Sequence, residues 1–406
     1  MRVLVSFRSC ILGISARAAI VTQAVLLAMV VSGLSARAQT ISILHTFVAG
    51  GDGAMPFGSV LIDDGNLYGT TEIGGPASAG TVFKLDRHGN EALYAFTGGM
   101  NGQLPLSSLI RDAAGNFYGT IFAGGTHSKG ALYTISRNGK ERTLYSFKGQ
   151  PDGENPYPAL LRDAQGNFYG TTYIGGTRGE GVAFKLDATG AETVLHSFTG
   201  GQDGRFPYAS LIMDDAGNLY GTTLDGGPQD LGVVFKLDTE GNETVLYRFA
   251  GGADGAYPFA GLFRDHRGNL YGTTFMGGGN GCGGQGCGTV FKVDSSSKET
   301  VLYRFEELHG ANPYGGLIHD SDGNLYGTTL AGGVFNSGVV YKLNRQGQQT
   351  VLYSFTGGAD GAYPYATLVR DAAGNLYGTT WEGGDVTCTN PNGPYGCGVV
   401  FKLAPK

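Results

Sequence analysis

The sequence predicts an all-β chain closed into a ring: a seven-bladed β-propeller with four antiparallel strands per blade. Three observations carry this. The phrase Gly-Asn-(Leu/Phe)-Tyr-Gly-Thr occurs seven times, at Asn66, Asn116, Asn167, Asn218, Asn269, Asn324 and Asn375. The intervals are 50, 51, 51, 51, 55 and 51 residues, the period of a propeller or array. Each period holds four short β-forming runs and no window with helical spacing.

Elements follow in order. Arg2, Arg8 and Arg17 precede an apolar stretch over residues 18–31, and Ala36-Arg37-Ala38 follows. This predicts a signal peptide over 1–38, cleaved after Ala38, with a single propeller domain over 39–406. Losing Arg2, Arg8, Arg17 and Arg37 takes the net charge from −6 to −10. An acidic exported chain is a poor nucleic-acid binder. The remainder has no apolar run long enough to span a membrane. A secreted or periplasmic monomer without a C-terminal anchor is expected.

One repeat serves as specimen. Residues 209–213 form strand A and end in the turn Asp214-Asp215-Ala216-Gly217-Asn218. Strand B is Leu219-Tyr220-Gly221-Thr222-Thr223, followed by a Gly226-Gly227 loop. Strand C is Val233-Val234-Phe235-Lys236-Leu237, and strand D runs from Glu243 to Phe249. The runs have ordinary strand length, and the Asp, Asn and Gly at the joints suit tight hairpins. Residues 41–47 match strand D, while 399–403 are a strand C with no D after it. The two are therefore expected to pair and close the ring, leaving no open edge.

This phase places the A–B and C–D turns on one face and the B–C and D–A loops on the other. The D–A loop reads Phe-x-Gly-Gly-x-Asp-Gly-x-x-Pro. Its acids are Asp52, Asp152, Asp203, Asp254 and Asp360, with Asn101 and His309 in the other two blades. Such a side chain can bond its own turn. The alternative is a carboxylate ring around the channel mouth that holds a cation or cationic ligand. Two B–C loops are long and carry cysteine pairs, Cys282 with Cys287 in blade five and Cys388 with Cys397 in blade seven. Pairing within each loop is the simplest connectivity. Zinc is the rival, but the spacing is Cys-x4-Cys with no nearby histidine. Strand B ends in Glu72, Phe122, Tyr173, Leu224, Phe275, Leu330 or Trp381, read mainly as core. Trp381, with Tyr395 in the adjacent blade-seven loop, is the candidate ligand platform.

The unit Asp-x-x-Gly-Asn-Leu-Tyr-Gly-Thr-Thr-x-x-Gly-Gly, then Gly-x-Val-Phe-Lys-Leu-Asp and Glu-Thr-Val-Leu-Tyr-x-Phe, resembles the GloVer tandem repeat of secreted bacterial "choice-of-anchor" proteins. The resemblance covers residues 41–403. It implies export and a propeller-like fold, but no known activity and no catalytic residues. No C-terminal sorting signal follows the repeats, so release is expected.

Gly-x-Ser-x-Gly and His-Glu-x-x-His are both absent from the sequence. The seven histidines read as falling at different phases of the repeat. The expected function is therefore non-catalytic: a binding or scaffold propeller taking a glycan, peptide or cell-envelope component on the B–C/D–A face. No cofactor is expected. The alternative is a lactonase-like hydrolase or lyase whose metal is held by the channel-mouth carboxylates.

Overall fold

The structure, a computed structural model, describes residues 39–86, 88–389, 391, 393 and 395–405. The expected signal peptide and its cleavage site lie outside the described residues. Seven antiparallel sheets are present, each in the spatial order A-B-C-D. Blade four shows the pattern: Ile212–Met213, Leu219–Thr223, Val233–Leu237 and Glu243–Arg248. The outer strand is bulged between Val245 and Tyr247, which adds local twist.

The ring closes as the sequence predicts. Ile41–Thr46 pairs antiparallel with Val399–Leu403, from Ile41 opposite Leu403 to Thr46 opposite Val399. Phe47 N–H also donates to Gly398 O at 3.0 Å, and Met55 N–H to Cys397 O at 2.8 Å.

Strand A is shorter than expected. Only Ile212–Met213 pairs in blade four, although the apolar run begins at Ala209. Its upper part bends toward the axis after a left-handed residue. The residue before each D–A proline has φ between 56° and 59°: Met55, Leu104, Asn155, Phe206, Tyr257, Asn312 and Tyr363. That conformation costs about 1–2 kcal/mol for a residue with a Cβ. Two backbone hydrogen bonds offset it. Each N–H donates to a carbonyl of the preceding blade at 2.8–3.0 Å, as Tyr257 does to Leu231. The carbonyl can accept from its own strand B, as Phe206 O does from Leu224 N–H. The glycine that opens strand C makes room for the next blade's proline. A Cβ on Gly232 would sit 2.6 Å from Pro258 Cδ.

The repeated phrase builds scaffold. Asp214 accepts from Asn218 N–H at 2.9 Å and from Tyr220 O–H at 2.9 Å. A Cβ on Gly221 would meet the Phe235 ring at 2.7 Å, so glycine is what lets that ring lie flat on strand B. Thr222 donates across the junction to Pro258 O at 3.1 Å. Around the ring, the aromatic that ends each outer strand packs edge-on against the strand-C aromatic of the next blade. The seven pairs, from Phe47–Phe83 to Phe355–Phe401, have centroids 5.0–5.2 Å apart. Edge-to-face packing adds about 0.5–1.5 kcal/mol per pair beyond area burial.

Candidate functional site

The axis is filled by residues that sequence reasoning passed over. The residue after each D–A proline points inward: Phe57, Leu106, Tyr157, Tyr208, Phe259, Tyr314 and Tyr365. Tyr157 and Tyr208 have centroids 3.8 Å apart, and Phe259 stacks on Tyr314 at 4.7 Å. Tyr314 O–H donates to Tyr208 O–H at 2.5 Å. Burial pushes the Tyr208 and Tyr365 hydroxyls well above the usual phenol range. These rings, with small residues such as Gly58, Ser108, Ala209 and Gly315, line an axial pocket of about 90 Å³. Its lining has no charged side chain. The space suits a few waters and falls short of the roughly 300 Å³ where ligand pockets begin. The signal for the plug was in the sequence: six of the seven residues after those prolines are aromatic.

The loop aspartates sit elsewhere than at a channel mouth. Asp152 accepts from Lys148 N–H at 2.9 Å and from Tyr145 O–H at 2.8 Å. Asp360 accepts from Thr356 N–H and Tyr353 O–H, both at 2.8 Å. Asp52 bonds Val48 N–H and pairs with His45 at 3.2 Å. Asp203 and Asp254 bond Thr199 N–H and Ala250 N–H. In each case the acid closes its own turn, and Tyr145, Tyr353 and His45 belong to the outermost strands. These acids thus act as turn locks beside the outer strands, the first of the two readings of this position. The D–A loop leaves from the outer strand, and its acid lies back against that strand. His309 takes no such role. Its ring is exposed, 3.7 Å from Glu306, and its carbonyl accepts from Gln349.

Both disulfides form within their loops, Cys282–Cys287 and Cys388–Cys397, so the four sulfurs are not available to zinc. Cys282 N–H donates to Glu307 Oε1 at 3.1 Å, tying blade five's loop to the next D–A loop. Trp381 packs edge-on to the axial Tyr365 at 5.4 Å and donates to Glu72 Oε2 at 2.9 Å. It packs against the plug and is partly buried. Phe122 and Phe275 likewise meet Tyr157 and Phe259. Tyr395 is exposed.

The two faces differ in what they show to solvent. Among the described residues, eight large apolar side chains are exposed. Seven lie on B–C or D–A loops: Val48, Met100, Leu308, Val334, Phe335, Val386 and Tyr395, each more than half exposed. Five cluster in the sector of blades six and seven. There Gly333 N–H donates to Glu307 O at 2.7 Å, which sets Val334 beside the Leu308 loop. Soluble surfaces rarely gather large apolar side chains without a partner to cover them. Among the described residues no helix is long and apolar enough to cross a membrane.

A sequence model described as the Gloeobacter/Verrucomicrobia repeat matches residues 29–216 and 201–390. No curated protein matches the chain. The extracellular domain of the one-component system BT4673 from B. thetaiotaomicron is similar in structure, with a TM-score of 0.56 and 11% identity over 89% of this chain. This chain spans 40% of that one. A structure described as a 6-phosphogluconolactonase, from Bacteroides uniformis, has a TM-score of 0.52 and 14% identity, covering 77% of this chain and 88% of that one. A puromycin-hydrolyzing peptidase of Mycobacterium tuberculosis has a TM-score of 0.51 and 13% identity, covering 84% and 53%. At such identity the likeness speaks to fold alone.

Proposed function

The chain belongs to the Gloeobacter/Verrucomicrobia repeat family, and we propose that this member is an exported, non-catalytic binding propeller. Its ligand is an extracellular polymer: a glycan, peptide or cell-envelope component. It meets that ligand on the B–C/D–A face, in the sector of blades six and seven. The observation that carries this is the one-sided distribution of exposed apolar side chains, with Leu308, Val334, Phe335, Val386 and Tyr395 on the loops of blades six and seven. The two intraloop disulfides support the same reading. They hold long glycine-rich loops on that face and belong to an oxidising compartment. A channel-based hydrolase has less support, because the axial cavity is small and lined without charge.

Binding of the purified protein to immobilised peptidoglycan, lipopolysaccharide and a glycan panel tests this. Saturable binding to one of them should weaken at least tenfold in a Val334→Ser/Phe335→Ser double variant. A turn-face control, Asn242→Ala, should leave it unchanged. Binding lost only in the control would overturn the assignment of the face, and no saturable binding to any of these polymers would overturn the ligand class.

A further inference from the structure

The rim junctions between blades repeat a small constellation, and one junction changes its chemistry. Two residues before the aromatic that ends each outer strand stands a tyrosine: Tyr94, Tyr145, Tyr247, Tyr303 and Tyr353. In blade three and in the closing blade it is His196 and His45. These two histidines share one phase, which corrects the reading that all seven fall at different phases. Where the residue is Tyr145 or Tyr353, its hydroxyl bonds the loop aspartate at 2.8 Å. His45 does the same with Asp52 at 3.2 Å.

Between blades three and four the arrangement opens up. His196 Nε2 stands 3.7 Å from Asp203 Oδ2, beyond hydrogen-bond reach. Glu243, the first residue of blade four's outer strand, enters the same groove. One ligand atom each from His196, Asp203 and Glu243 lies within 4.8 Å of the others. His196 Nε2 and Glu243 Oε1 are both shut off from solvent and have no hydrogen-bond partner. Buried polar atoms without partners are costly, and here two of them face a third potential ligand.

We infer that His196, Asp203 and Glu243 form a binding site for a first-row divalent cation of the zinc class, bridging blades three and four at the rim. In a tetrahedral zinc site with bonds near 2.0–2.2 Å, ligand atoms stand about 3.4 Å apart. The His196–Asp203 spacing is close to that already, and Glu243 closes the remainder by turning its side chain. The first two ligands are held in place. Thr199 donates to both carboxylate oxygens of Asp203, from N–H at 2.8 Å and from Oγ1 at 2.6 Å. Phe198 packs edge-on to the His196 ring at 4.8 Å. An imidazole nitrogen favours zinc, nickel or copper over calcium and magnesium, which take oxygen. Three protein ligands leave the fourth position to water, and the His196 and Asp203 side chains each keep some exposure.

Zinc titration of the untagged, EDTA-stripped chain by calorimetry is the test, with Mg²⁺ as the control ion. His196→Tyr restores the residue found at this position in five other blades, so it should fold normally. The wild type should take up one more equivalent of Zn²⁺ than His196→Tyr, and Zn²⁺ should raise its melting temperature. Glu243→Gln should weaken that equivalent by at least the roughly 10–100-fold that even an outer-shell loss costs. Equal Zn²⁺ uptake by wild type and His196→Tyr, or none by the wild type, would overturn the proposal.

Discussion

The turn face and the loop face are made from the same seven repeats, yet they use their side chains in opposite ways. On the turn face, Asp214 takes bonds from Asn218 and Tyr220, and Asp112, Asp163, Asp265, Asp320 and Asp371 bond the matching Asn and Tyr. Polar groups there are consumed by the hairpins themselves. On the loop face, blades differ in length, and large apolar side chains reach solvent. A surface that satisfies itself is scaffold, while one that leaves contacts unmade is available to a partner.

The largest expected effect lies between the faces, at the junctions that hold them together. Gly232→Val adds bulk at a φ of 95° and within 2.5 Å of Thr223 O. It should cost about 4 kcal/mol or more by strain and overpacking together, seen as loss of cooperative urea unfolding. A stable Gly232→Val protein would break the account of the tight fit between Gly232 and Pro258 of the next blade.

Next comes Asp214→Ala on the turn face. It leaves Asn218 N–H and Tyr220 O–H without their acceptor and should cost about 1–3 kcal/mol in urea denaturation. The matching loop-face double variant, Val334→Ser/Phe335→Ser, should stay within about 0.5 kcal/mol of wild type, as surface changes usually do. Equal costs on the two faces would erase the contrast.

The faces and the rim should also part company in pH. For the turn-face aspartates burial works upward, but bonds from Asn and Tyr override it and hold them low, Asp112 at about 2. Their stabilisation is present above the unfolded pKa and is lost as pH falls from about 4 through the folded values. The rim glutamates go the other way. Burial first, then the neighbouring Asp152, Asp203 or Asp254, pushes Glu192, Glu243 and Glu299 up to about 7, 8 and 7. The folded chain then holds protons that the unfolded chain has released, so stability falls as pH rises from about 4.5 to 8. In EDTA the melting temperature should peak in mildly acidic buffer. Glu243→Gln should raise it at pH 8 and leave it unchanged at pH 4.

Strands B, C and D and the closing pair were legible because hairpin chemistry and β-forming runs are local. Spacing along the chain gives phase around the ring but not distance from the axis. That is why Asp152 and Asp203 could be read toward the channel when they lie against the rim, and why Phe57, Tyr208 and Tyr314 were overlooked at the centre. The left-handed turn before each proline, which swings those rings inward, is taken by Met, Leu, Asn, Phe and Tyr alike. No residue type marks it. His196 was visible as a residue, but its partners became visible only when the junction between blades three and four set Asp203 and Glu243 beside it.

The closing strand has a further consequence in time. Ile41–Thr46 is made before its partner, Val399–Leu403, which follows about 360 residues later. Until then six blades can stack in order while the seventh has no outer strand and the first strand has no sheet. The nascent chain thus carries a loose β-edge while the intervening residues are made. Whatever receives the emerging polypeptide must keep that edge from pairing with a neighbour's last blade, where the same match would link molecules head to tail.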